Sequence, residues 1–107
     1  MTFSTKFFHV YVQALKKAWP IIGSMVILLG GLGALFAFVE RIRLYDAMYF
    51  TCITAMSIGY GDITPERLSG KLIAIAIGLI GMITNGLMVA LALNSALKCL
   101  NEEIKPD

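Results

Sequence analysis

The chain alternates long uncharged stretches with short polar interruptions, and the stretches are not of equal length. Residues 18–39 carry no Asp, Glu, Lys or Arg over 22 positions. At ~1.5 Å per residue this run makes a helix of roughly 33 Å, enough to cross a hydrocarbon core of ~30 Å. Residues 72–97 are uncharged over 26 positions, roughly 39 Å as helix, so this helix must tilt or protrude. Between the two, residues 47–61 stay uncharged for only 15 positions. A helix of ~22 Å is too short to span, and this one runs into glycine. Non-helical backbone survives at membrane depth only when it is buried in protein or lines a wet cavity. The pattern therefore predicts an all-α membrane protein, with two transmembrane helices flanking a re-entrant segment.

The polar interruptions set the boundaries. Residues 40–43 (Glu-Arg-Ile-Arg) end the first run abruptly, and residues 62–71 form a polar connection containing Pro65, Glu66, Arg67 and Gly70. The expected elements are an outer helix over 19–39, a short helix over 46–56, an inner helix over 69–98 and a short polar tail. Asp46 suits the cap or first turn of the short helix, and Pro20 suits the first turn of the outer helix. Glycines 23, 30, 31 and 33 lower helix propensity but permit close backbone approach between helices.

The start of the chain reads differently. Phe8, Val12, Leu15 and Trp19 recur at helical spacing, with Lys6, Gln13, Lys16 and Lys17 supplying polar positions. Thr2 or Ser4 can cap the start. Residues 1–18 are expected to form a separate amphipathic helix along the membrane interface, ahead of a pore domain over 19–107. Two spans put both termini on one side. That side carries five Lys and Arg (residues 6, 16, 17, 98 and 105) against four (41, 43, 67 and 71) on the other. The bias favours cytoplasmic termini in a multi-pass protein of the plasma membrane.

Composition sharpens this. At 107 residues the chain has room for one domain, and at 58% hydrophobic and 15% charged it is too apolar for an ordinary soluble one. A net charge of +2 gives no reason to expect nucleic acid as a partner. Membrane lipid and further copies of the chain are the partners such a surface needs. Cys52 and Cys99 lack the spacing of a metal site or a disulfide framework and read as packing residues. No cofactor is expected. The single histidine, His9, lies in the terminal segment and no nucleophile–base set appears, so an enzyme is not expected either. Lys6 and His9 interrupt the early apolar stretch, so the first span is expected to act as its own insertion signal.

The candidate chemistry lies in Thr54-Ala55-Met56-Ser57-Ile58-Gly59-Tyr60-Gly61-Asp62, where the short helix gives way to glycine. A pore that selects among cations must replace the ion's water with oxygens at close range, and consecutive backbone carbonyls supply these most densely. Pointing successive carbonyls the same way requires alternating right- and left-handed backbone. Glycine takes the left-handed turns without steric cost, which accounts for Gly59 and Gly61. Ile58 and Tyr60 then turn their side chains away from the pore and brace the loop against surrounding helices, while Ser57 adds a hydroxyl oxygen. The short helix aims its carbonyl end at the cavity, where it favours a cation. One copy cannot encircle an ion, so the loop demands symmetry about an axis.

This stretch resembles the signature of the potassium-channel pore family, and residues 19–98 resemble its two-transmembrane bacterial members. The resemblance implies a homotetramer conducting potassium passively, with Ser57, Ile58, Gly59, Tyr60 and Gly61 as the ion-binding filter. It implies that Tyr49 and Phe50 form an aromatic cuff supporting the filter, with Tyr49 hydrogen-bonded to Asp62. Gly81 falls where the family's inner helix carries its gating hinge, and Gly86 matches a second glycine five positions on. Gly81 also admits a close-packing reading, favoured less than the hinge; for Gly86 the two readings are even. Met82 and Asn85 are expected at the cavity: in inward rectifiers the Asn85 position carries a cavity-lining polar residue, the alternative being an interhelical hydrogen bond. Val89, Leu93 and Leu97 follow at helical spacing as a possible apolar constriction at the cytoplasmic end.

The sequence departs from the family pattern at two positions. Its commonest filter begins Thr-Val, whereas this one begins Ser57-Ile58. Ile53 stands where some members place a glutamate that pairs with the aspartate at the filter mouth, so that pair cannot form. Residues 43–50, with the terminal amphipathic helix and short tail, are also similar to the small sodium/potassium cation-channel branch. Those channels lose the filter tyrosine; Tyr60 keeps it. A potassium-selective channel is the leading expectation, with a weakly selective cation channel or a non-conducting channel subunit as alternatives. The chain has no room for a voltage-sensing or ligand-binding domain, and no gating stimulus is legible.

Overall fold

A computed structural model describes residues 2–104. Met1 and residues 105–107 at the end of the expected tail lie outside the described residues. Three helices follow in order: α1 over Phe3–Glu40, α2 over Leu44–Ala55 and α3 over Leu68–Ile104. α1 and α3 are both long and apolar enough to cross a membrane, and α2 is not. The two long helices and the short one between them make an all-α membrane protein, as the run lengths predict.

Three boundaries differ from expectation. The first 18 residues do not form a helix of their own, because α1 is one continuous element of 38 residues, ~57 Å long. Thr2 caps it, its side chain accepting from the Thr5 N–H. Pro20 consequently sits inside the helix rather than in its first turn. The ring removes one backbone donor, and the helical hydrogen bonds on either side carry the chain through. At the far end Arg41 adopts the left-handed conformation (φ 58°, ψ 44°), and the Ile42 N–H reaches back to the Ala37 carbonyl at 3.2 Å. That closes the helix with a non-glycine residue in a place where glycine is usual.

α2 begins two residues earlier than expected. Arg43 occupies its N-cap without a side-chain hydrogen bond, and Asp46 lies in the first turn, where its charge opposes the helix dipole favourably. α3 runs six residues beyond the expected end at 98, so the first part of the polar tail is helical.

The core forms where all three helices meet on the loop side of the membrane. Phe36 of α1 is wholly buried and stacks on Phe50 of α2, with ring centroids 4.3 Å apart and planes within 5°. Ala37 and Ala47 complete this cluster, and Ile73 and Ala74 of α3 pack against it. Small residues let α1 and α2 approach: a methyl at Gly33 would lie 2.6 Å from Thr51 Oγ1. Thr51 donates that hydroxyl to the Ala47 carbonyl at 2.8 Å and so buries no unpaired polar atom. Cys99 is fully buried, whereas Cys52 of α2 is exposed. Much apolar surface stays open, including Ile27 at 77% and Phe38 at 82% exposure. Apolar surface on this scale fits a membrane protein rather than a single chain in water.

Candidate ion pathway

The loop after α2 is built from the way that helix stops. Met56 is its C-cap, and the next residue, Ser57, turns left-handed at φ 64°. The Ser57 N–H bonds to the Thr54 carbonyl at 3.1 Å and the Ile58 N–H to the Ile53 carbonyl at 2.8 Å. This crossed pair is a Schellman closure, which satisfies carbonyls that the end of a helix leaves orphaned. The Gly59 N–H also reaches the Ile53 carbonyl, at 3.3 Å. Ile53 is itself buried, so one fixed carbonyl anchors the start of the loop.

Beyond this anchor the backbone alternates. Gly59 and Gly61 have φ of 59° and 81°. With Ser57 they make three left-handed residues at every second position, separated by Ile58 and Tyr60. The sequence singled out the two glycines for this geometry and missed Ser57, whose side chain gives no sign of it. No atom lies within 4 Å of where a side chain would stand on Gly59 or Gly61, so conformation rather than crowding requires glycine there. Residues 57–61 are all exposed.

The expected bracing by Ile58 and Tyr60 is absent within the chain, since both side chains are exposed, at 44% and 69%. Tyr49 does reach the filter mouth, its hydroxyl donating to Asp62 Oδ2 at 3.0 Å. Phe50, expected beside it in a cuff, points the other way into the core, stacked on Phe36. Helical geometry explains the split: adjacent residues lie about 100° apart around the axis, so neighbours cannot serve one face.

The inner helix meets the pore helix at its last residue. Gly81 is packed so closely that a methyl there would lie 2.5 Å from both the Cα and the carbonyl oxygen of Ala55. Gly81 thus makes a close packing contact, the second of the two readings open for it, inside a helix that is unbroken from Leu68 to Ile104. One turn on, Asn85 donates from Nδ2 to that same Ala55 carbonyl at 2.7 Å. Of the two readings open for Asn85, the interhelical hydrogen bond is the one formed. Gly86 has open space around it. Met82, Val89, Leu93 and Leu97 are all exposed and share one stripe of α3. Thr84 faces the other way, toward Met25 of α1.

Glu40 is a residue that the sequence marked only as the end of an apolar run. Its Oε1 accepts the N–H groups of Glu66 and Arg67, both at 3.0 Å, and its side chain fills the space over Gly70. Arg67 is the residue whose carbonyl starts α3, accepting from Lys71 at 2.9 Å. The last residue of α1 thus caps the first turn of α3 with a carboxylate, which the helix dipole favours.

Residues 21–97 match the model of the family described as "Ion channel". The chain belongs to that family of membrane ion channels, not to the enzymes. It is 31% identical to the rice protein "Two pore potassium channel a" over 86 residues, covering 73% of this chain and 25% of the relative. It is 36% identical to the "Voltage-gated potassium channel" of Aeropyrum pernix over 62 residues, covering 58% and 21%. A "Hyperpolarization-activated voltage-gated potassium channel" of Methanocaldococcus jannaschii is 58% identical over 31 residues, covering 29% and 15%. The chain thus spans a quarter or less of the length of these relatives. No solved structure matches it.

Proposed function

We propose that this chain is the pore of a potassium-selective channel, in which four copies surround one axis and residues 57–61 of each supply the ion-binding oxygens. The observation that carries the reading is the left-handed backbone at Ser57, Gly59 and Gly61, starting from a pore helix locked by the Ile53 carbonyl. Alternation of this kind directs successive carbonyls to one side, as a cation stripped of water needs. The exposure of Ile58 and Tyr60 supports the assembly, because their braces must come from neighbouring copies. Retained Tyr60 favours potassium over the weakly selective alternative. The relatives named as potassium channels add support for the ion.

In this reading both termini face the cytoplasm across the plasma membrane, and residues 3–18 extend α1 into the cytoplasmic interface. The exposed stripe of α3 lines the pathway: Met82 beside the cavity, then Val89, Leu93 and Leu97 as the apolar constriction. Asn85 borders the cavity from its bond to Ala55. Gly86, free of neighbours, is where α3 can bend, while Gly81 holds the pore helix.

Purified protein reconstituted in planar bilayers tests this. Under potassium on one side and sodium on the other, the reversal potential should approach the potassium equilibrium value. A reversal near zero would identify a weakly selective cation channel, and the absence of any current a non-conducting subunit.

A further inference from the structure

A cavity of about 690 Å³ opens where all three helices meet around the end of α2. Four sulfur-bearing side chains line it: Met48, Cys52 and Met56 from α2 and Met88 from α3, with Val26 and Leu29 of α1 on the third side. Steps of four residues put the three α2 side chains in one row on one helix face. Half of the chain's six methionines and one of its two cysteines thus share a single cavity. No carboxylate, histidine, lysine or arginine lines it. The sequence marks Cys52 only as a packing residue, because its sulfur neighbours on α2 follow no metal-site spacing and Met88 lies 36 positions away.

The polar groups of the lining are engaged with the protein itself. Thr51 and Thr84 donate their hydroxyls to the Ala47 and Ile80 carbonyls, each at 2.8 Å, and Asn85 donates to Ala55. The Met48 sulfur rests against α1, 3.3 Å from where a side chain on Gly33 would begin. Cys52, Met56 and Met88 remain as the sulfur donors for a ligand. Val26 and Leu29 lie in the middle of the uncharged run of α1, so the cavity is at hydrocarbon depth, where a net charge is costly. A monovalent cation on one thiolate and neutral thioethers carries no net charge. A divalent cation on the same ligands would keep a positive one. Soft thiolate and thioether ligands select copper(I) among the first-row metals.

We propose that this cavity binds a soft monovalent cation, copper(I), through the Cys52 thiolate and the thioethers of Met56 and Met88. On binding, the Cys52 thiol releases its proton to water and the sulfur–metal bond replaces the sulfur–hydrogen bond, with no change of oxidation state. The bound ion would join α2 to α3 beside the contact of Gly81 and Asn85 with Ala55. Asn85 and Val89, which line this cavity too, border the proposed ion pathway, and so give a monovalent cation a way in. That entry route rests on the proposed conduction; the ligand set does not.

Anaerobic titration of the detergent-solubilised full chain with copper(I), against a chromophoric copper(I) chelator, tests it. The wild type should take up one equivalent per chain, and silver(I), a redox-inert stand-in, should raise its thermal midpoint. Met56→Leu and Met88→Leu keep the apolar volume and remove the sulfur, so packing is spared and each should weaken copper binding by roughly tenfold or more. Cys52→Ser should weaken it by roughly 100-fold. Met25→Leu, outside the lining, should bind as the wild type does. Should Cys52→Ser fail to fold, the Met56→Leu/Met88→Leu double variant carries the comparison. Unchanged affinity in that double variant overturns the proposal, since the thiol would then be acting alone. So does unchanged affinity in Cys52→Ser, or zinc(II) bound as tightly as copper(I). The titration needs no current through the pore, so its failure leaves the proposed conduction standing, and a chain that binds copper(I) without conducting separates the two the other way.

Discussion

Asn85 Nδ2 donates a 2.7 Å hydrogen bond to the backbone carbonyl of Ala55, joining the inner helix to the last residue of the pore helix. Four residues earlier, Gly81 presses its backbone against the same residue. The two contacts act together: the missing side chain at 81 lets Ala55 come close enough for the amide at 85 to reach it. Asn85→Leu removes the donor and leaves a partly buried carbonyl unpaired. The expected cost is about 0.5–2 kcal/mol, the lower part of the range reflecting how weakly such bonds count between membrane helices. Unfolding of the purified variant in denaturant gives the stability. The unitary current gives the effect on the pathway and should fall, because the anchor of the filter loosens.

Gly81 and Gly86 separate by sign. An alanine in place of glycine stabilises an unstrained helix by about 1 kcal/mol. At 86, with open space, that gain should survive within the chain. At 81 the added methyl meets backbone, which cannot rotate aside, and overpacking of this kind costs about 1–3 kcal/mol. Gly81→Ala should therefore lower the thermal midpoint of the detergent-solubilised protein and Gly86→Ala should not. A rise for Gly81→Ala would mean that the contact with Ala55 yields to a methyl.

What could be read in advance follows from how local its cause is. A span needs about twenty uncharged residues in succession, so residues 18–39 and 72–97 announce themselves, as does the short run at 47–61 that cannot span. Gly59 and Gly61 are legible because few other residues tolerate their backbone. Ser57 and Arg41 share the same left-handed geometry yet give no signal, since each is imposed by the closing hydrogen bonds of a helix end. Asn85 and Glu40 find partners 30 and 26–27 residues away. The resemblance offered Asn85 a cavity position or an interhelical hydrogen bond, but only the packing of the helices names its acceptor. Pro20 misled for the opposite reason: a strong local rule suggested a helix start, and the longer continuous helix overrode it.

Ser57 combines a strained backbone with a proposed ion ligand. A non-glycine residue in this conformation costs about 1–2 kcal/mol. Ser57→Gly should relieve roughly that amount while removing the hydroxyl oxygen, giving a more stable protein with weaker barium block. Ser57→Thr keeps the oxygen but adds a branch at Cβ, which positive φ tolerates poorly. It should be less stable than the wild type, with potassium selectivity retained in the reversal potential. Equal stability for all three would remove strain at 57 from the account.

Glu40 joins the end of α1 to the start of α3 through two charge-assisted hydrogen bonds from one oxygen. Glu40→Gln keeps an acceptor oxygen and loses the charge; Glu40→Ala loses both and empties the space over Gly70. The expected order of stability is wild type, then Gln, then Ala, with Ala lower by about 1–3 kcal/mol. Hydrogen exchange at the Glu66 and Arg67 amides should rise in the same order. Exchange unchanged in Glu40→Ala would mean that those amides are held by something else.

Tyr49 and Asp62 bridge the pore helix and the outer end of the filter at 3.0 Å. Tyr49 supplies the side-chain hydrogen bond that the structure shows to Asp62. Tyr49→Phe deletes one oxygen and leaves the ring in place, so the helix and its packing should be unaffected. Asp62 is then free to turn toward water, and the carbonyls of Tyr60 and Gly61 lose their outer tether. Under sustained opening, current through the variant should decay faster than through the wild type, and raised external potassium should slow the decay by keeping the outer site occupied. Identical decay in the two proteins would show that the filter mouth is held by contacts between copies, and that the hydrogen bond within one chain is incidental.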